Sequence, residues 1–223
     1  MSKRILILAL VAVQVQAKEQ EFVDIKSHIT NVNYDIRYYS GNNFVGERID
    51  GYKAAKCLVH KNAIAALSKA SEALNKAGDR FKFFDCYRPE KAVAHFMRWA
   101  KDLEDIKTKK TYYPNLDKSA FVGPYIAPRS GHSKGYTVDL TLEQKQPNGS
   151  YTEVDMGSAF DMFDLVSNTD NPSITKQQKA NRYLLKKSLE AVGFSAYDME
   201  WWHFTYTAVP SNERATFYDF DVK

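Results

Sequence analysis

The sequence has no internal repeat, no low-complexity tract and no composition break that marks a linker, so 223 residues are most simply one domain. Charge of one sign is also scarce. The net charge is only +4 and there is no long basic run, which argues against nucleic acid as a main partner. The longest apolar run, Ile5–Val13, has nine residues and is too short for a permanent membrane span. Cysteine is limited to Cys57 and Cys86, and none follows that run to carry a lipid anchor. Histidine is nearly as rare, with five in the chain.

What is present fits a folded, exported protein. Hydrophobic residues make up 44% and charged residues 26%, which excludes disorder on composition. Lys3 and Arg4 precede the apolar run, and Val15 and Ala17 occupy small-residue positions after it. Residues 1–17 therefore read as a signal peptide. Domain 18–223 would follow, periplasmic or secreted and free of the membrane, with the formal charge reduced to +2. In such a compartment Cys57 and Cys86 are expected to bridge, the alternative being two small buried thiols.

Helical periodicity places a helix over Asn62–Ala77, with Ile64, Leu67, Ala70 and Leu74 on one stripe and Gly78 as its stop. Phe81–Tyr87 reads as a strand, and Pro89 opens a second helix with the stripe Val93, Phe96, Met97 and Ala100, followed by Leu103. Thr108–Ser130 reads as a long ordered loop of the functional kind. Gly135–Leu142 alternates as a strand. Thr175 and Gln178 cap a third helix ending before Gly193, and strand character returns from Phe194 through Thr207. Helices and strands mix without regular βαβ alternation, so the fold class is α+β: one domain with a central antiparallel or mixed sheet flanked by helices.

Of the histidines, His60 and His95 fall at or within helices and His28 has no acidic motif around it. His132 stands in a turn leading into a strand, and seven residues on Asp139 interrupts an otherwise apolar run. A carboxylate buried there needs a cation, either a metal ion or an Arg or Lys. Glu200 and His203 sit beside Trp201 and Trp202. They are three apart, so a straight strand would point them to opposite faces. A bent segment would bring both into one desolvated pocket. A buried Glu–His hydrogen bond is the alternative. Two imidazoles and one carboxylate leave a fourth metal position for water, with a further carboxylate free to act as base. Arg88, at the end of its strand, is suited to an oxyanion or to a salt bridge with Asp85.

These residues, in order, resemble the zinc D-alanyl-D-alanine dipeptidases of the VanX type. The likeness is carried by Ser130, His132, Gly135 and Asp139, by Glu200, Trp202 and His203, and by the run Asp85–Pro89. It extends to Asn43–Phe44, Gly51–Tyr52, Tyr112–Asn115, Met156–Ser158 and Phe160–Asp161. The resemblance implies a Hedgehog/DD-peptidase-like fold and one Zn2+ per chain on His132, Asp139 and His203. It also implies Glu200 as general base, Arg88 on the oxyanion, and Tyr38, Ser130 and Asp161 around the dipeptide. Thr137 departs from the family pattern, which usually has Ala there. Two rivals remain: a peptidoglycan stem carboxypeptidase or endopeptidase with the same metal set, and a zinc-stabilised binding module without catalysis. An aromatic loop that caps the cleft would favour the dipeptide.

Overall fold

The strand predicted around Asp139 organises the sheet. The computed structural model describes residues 19–123 and 125–223, and the expected signal peptide lies outside them. The strands are β1 (Phe22–Asp24), β2 (Asn33–Tyr34), β3 (Leu58–His60), β4 (Asp79–Asp85), β5 (Thr137–Lys145), β6 (Tyr151–Glu153), β7 (Phe194–Tyr197) and β8 (Glu200–Tyr206). The helices are α1 (Lys61–Ala77), α2 (Glu90–Lys101), α3 (Lys109–Tyr112) and α4 (Lys176–Glu190). The main sheet runs β2-β4-β5-β8-β7, with β6 also on β5, and β1 pairs with β3 apart from it. Only β2–β4 is parallel in the main sheet, so the α+β class with a mixed sheet holds.

Residues 137 to 143 of β5 are buried on both faces. Val138, Leu140 and Leu142 join the core, while Thr137, Asp139 and Thr141 are buried polar residues. Helix α1 packs on β4 and α4, burying Ala63, Leu67, Ala70 and Leu74. It stops at Gly78, whose φ of +90° suits a residue without Cβ. The capping box at Thr175 forms as read: its side chain accepts from Gln178 N, and Gln178 answers to Thr175 N.

Three readings need correction. Leu103 lies beyond the end of α2 at Lys101 and is 53% exposed, so the helical stripe stops at Ala100. The strand expected over Phe81–Tyr87 begins two residues earlier and ends at Asp85, which leaves Cys86–Arg88 free to turn toward the cleft. Thr108–Ser130 is not all loop: it contains α3 and a 3₁₀ turn at Lys118–Ala120. Its Tyr113 and Phe121 pack edge-on at 5.0 Å, and both contact Trp99 of α2. Burying each ring contributes about 1.5–3 kcal/mol, which anchors the segment against the sheet domain.

Cys57 and Cys86 form a disulfide with a Cα–Cα distance of 5.2 Å. It ties the residue before β3 to the residue after β4. Closing a loop of this order stabilises the fold by about 3 kcal/mol. Among the described residues, no helix is long and apolar enough to cross a membrane.

Candidate active site

Sheet register assembles the centre. Asp85 of β4 pairs with Asp139 of β5, and Asp139 pairs with His203 of β8, so three polar residues stand in one row across three strands. His132 comes from the 3₁₀ turn Gly131–Lys134 that feeds β5, with Ser130 Oγ accepting from His132 N at its start. Gly135 closes this turn at φ +79°, where a Cβ would stand 2.3 Å from the ring of Phe22. A side chain there would displace the turn and its histidine.

The donors converge. His132 Nε2 is 3.2 Å from Asp139 Oδ2 and 3.3 Å from His203 Nδ1, and His203 Nδ1 is 3.0 Å from Asp139 Oδ1. One ligand atom from each residue lies within 4.8 Å of the others. His132 Nδ1 is 2.7 Å from the carbonyl of Cys86. A carbonyl only accepts, so Nδ1 carries the proton and the Nε2 lone pair faces the cleft. Asp139 Oδ1 is buried against His203 Nδ1 and has no further polar partner among the described residues. With Oδ1 facing His203 and Oδ2 facing His132, this carboxylate and the two imidazoles form a donor set that suits zinc. Burial works to raise the pKa of Asp139, but the two imidazoles outweigh it and hold the carboxyl well below its usual range.

Glu200 Oε2 lies 3.6 Å from His203 Nδ1. The pairing of β7 with β8 shifts register between Ala196 and Tyr197, and this irregularity at the start of β8 accounts for both side chains reaching one pocket. Burial pushes the Glu200 pKa up to about 7, with His203 pulling against it and Asp139 adding to it.

Arg88 combines the two readings offered for it. Its guanidinium pairs with Asp85 at 2.8 Å and reaches Asp139 at 3.4 Å and Ser130 Oγ at 3.5 Å, so the ion pair is buried beside His132 and Asp139 and not on the surface. Asp85 also accepts from Tyr52 Oη at 2.5 Å. At the far side, Tyr38 Oη donates to Asp161 Oδ2 at 2.9 Å. Asp161 is buried at φ +61°. Burial, then the charge of Asp139, push its pKa well above the carboxylate range.

All eight expected site residues — Tyr38, Arg88, Ser130, His132, Asp139, Asp161, Glu200 and His203 — line one cleft of about 290 Å³. Gly123, Tyr125, Ile126, Ala127 and Arg129 of the aromatic segment form part of its wall, and Phe96 and Phe163 add apolar surface. Neither the Cys86 carbonyl nor Arg182 is picked out from the sequence, and Tyr52 is marked only through the resemblance, without its bond to Asp85. Only Arg182 left a signal: it stands three and seven residues before Leu185 and Leu189, on the buried face of α4.

A metal-type donor triangle and a carboxylate poised beside it in a small cleft are the features of a metal-dependent peptidase. The chain belongs to the M15 peptidase family: the family model described as D-ala-D-ala dipeptidase matches residues 18–223. A D-alanyl-D-alanine dipeptidase of Streptomyces coelicolor is 36% identical over 203 residues, 91% of this chain and 98% of that one. One from Enterococcus faecium is 35% identical over 196 residues, 87% of this chain and 95% of that one. One from Escherichia coli is 31% identical, covering 82% of this chain and 83% of the relative.

Proposed function

We propose that the protein is an exported, zinc-dependent dipeptidase that hydrolyses D-alanyl-D-alanine to free D-alanine. The observation that carries this is the cleft itself. It has the donor triangle and Glu200 at one end and, at the other, Asp161, a buried carboxylate that makes no ion pair among the described residues. Its volume lies just below the ~300–1,000 Å³ typical of ligand pockets. The wall contributed by Gly123, Tyr125, Ile126, Ala127 and Arg129 supports a short substrate over a cell-wall stem.

His132, Asp139 and His203 would hold one zinc ion, which when bound supplies a Lewis acid and acidifies water. Asp161, steadied by Tyr38, receives the substrate ammonium, whose charge offsets the cost of ionising a buried carboxyl. Arg88, held in place by Asp85, donates to the scissile carbonyl oxygen as negative charge develops on it. Ser130 Oγ adds a hydroxyl beside that guanidinium. Glu200 takes a proton from the attacking water and passes it to the departing amine. Burial favours the protonated carboxyl, which suits a group that must hold the proton between the two transfers. A longer peptide would lay an uncharged acyl group against Asp161 and leave that carboxylate unmatched. A purely structural zinc site would need neither Glu200 nor Arg88.

Export rests on the N-terminal pattern of residues 1–17 and accords with the Cys57–Cys86 bridge. The deciding assay gives zinc-loaded protein D-Ala-D-Ala, L-Ala-L-Ala and a stem pentapeptide ending in D-Ala-D-Ala. Turnover of the first alone is expected. Cleavage confined to the pentapeptide would assign the protein to cell-wall trimming instead.

A further inference from the structure

The guanidinium of Arg182 is fully buried, yet among the described residues no carboxylate lies within ion-pair distance of it. Its charge is met by one loop instead. Nε donates to Met156 O at 2.6 Å, Nη1 to Asn168 O at 2.6 Å, and Nη2 to Val166 O at 2.9 Å, with Ser158 Oγ at 3.5 Å. A buried charge with no counter-ion in contact is costly: burial, opposed by the more distant Asp155, lowers its pKa to about 10, so it stays protonated at neutral pH. These contacts grip both ends of the segment 156–168.

Asp161 lies in the middle of that segment at φ +61°, a left-handed conformation that aspartate tolerates better than most non-glycine residues. Neighbouring contacts carry the same clasp toward the cleft. Phe160 stacks on Phe84 at 4.6 Å, and Trp201, next to Glu200, donates to Ser158 Oγ at 2.9 Å. We infer that Arg182 is a positioning residue: by clamping both ends of the 156–168 segment it holds Asp161 where the ammonium of a dipeptide docks, and so sets substrate affinity. This rests on the dipeptidase reading and names the device behind its ammonium subsite.

The test is a double-variant cycle on the zinc-loaded full-length enzyme, with KM and kcat for D-Ala-D-Ala measured for Arg182→Lys, Asp161→Asn and the pair. Arg182→Lys should raise KM about tenfold with kcat within about threefold, because lysine keeps the charge and loses the fork. In the Asp161→Asn background the same change should add less than about twofold. Multiplying effects, or a loss in kcat at constant KM, would reduce Arg182 to a general structural role and overturn the proposal. A normal KM for Asp161→Asn alone would instead remove the ammonium reading beneath it. If Arg182→Lys does not fold, Ser158→Ala, which trims the same clasp from the loop side, should show the same KM-only pattern. A normal KM for Ser158→Ala would then count against the clasp.

Discussion

The two ends of the cleft are built by opposite means. The donor triangle stands on the sheet: Asp139 and His203 are cross-strand partners, and His132 leans on a main-chain carbonyl. The Asp161 end stands on a loop, held by one tyrosine hydroxyl and a guanidinium from a helix behind it. Strand pairing fixes ligand geometry to tenths of an ångström, which a metal requires. A clamped loop sets a charge in place and leaves affinity open to adjustment. The comparison teaches that changes at the sheet end should abolish chemistry, whereas changes at the loop end should shift binding.

The sharpest break is expected at the sheet end. His132→Ala or Asp139→Ala should lose bound zinc, read by elemental analysis, and reduce hydrolysis to background, because two donors do not make a site of the three-ligand type. Glu200→Gln should keep zinc and lower kcat by about 10²–10⁴-fold, since only the proton carrier is removed. Retained turnover with full zinc would take Glu200 out of the mechanism.

Glu200 also carries a pH signature. Its pKa is about 7 in the folded metal-free protein against an ordinary 4.5, so the folded state holds a proton that the unfolded state has released between those values. Stability of the metal-free protein should therefore fall as pH rises through that window, by about 3 kcal/mol from this group. Denaturant titration should show Glu200→Gln more stable than the parent at pH 8 and similar at pH 4. At the loop end, Asp161→Asn should raise KM about 10-fold or more, the equivalent of roughly 1.5–3 kcal/mol for a hydrogen bond to a charged group, with kcat little changed. The smallest effect on turnover belongs to the disulfide. Replacing both Cys57 and Cys86 by Ser should cost about 3 kcal/mol of stability and leave kcat/KM within about twofold.

The sheet end was far more legible in the sequence than the loop end. His132 and Asp139 stood out because a histidine in a turn and an acid in an apolar strand break their local patterns. The spacing of Glu200 and His203 was read as a conflict, and only the register shift beside Tyr197 resolves it. Asp161 and Tyr38 were reached through family resemblance alone, since a carboxylate in a loop 123 residues from its partner leaves no periodic trace. The short strands β3 and β6 were missed because three residues carry too little alternation to register. The Cys86 carbonyl could not be read at all, as every residue has one.

That carbonyl has a consequence for how the protein tolerates change. The imidazole of His132 takes its tautomer from a peptide oxygen, so no codon at position 86 encodes or deletes the acceptor. Substituting the side chain would cut the cross-link but spare the orienting contact. The protonation pattern of this imidazole is thus inherited from the path of the chain, and drift at that position alone cannot erase it.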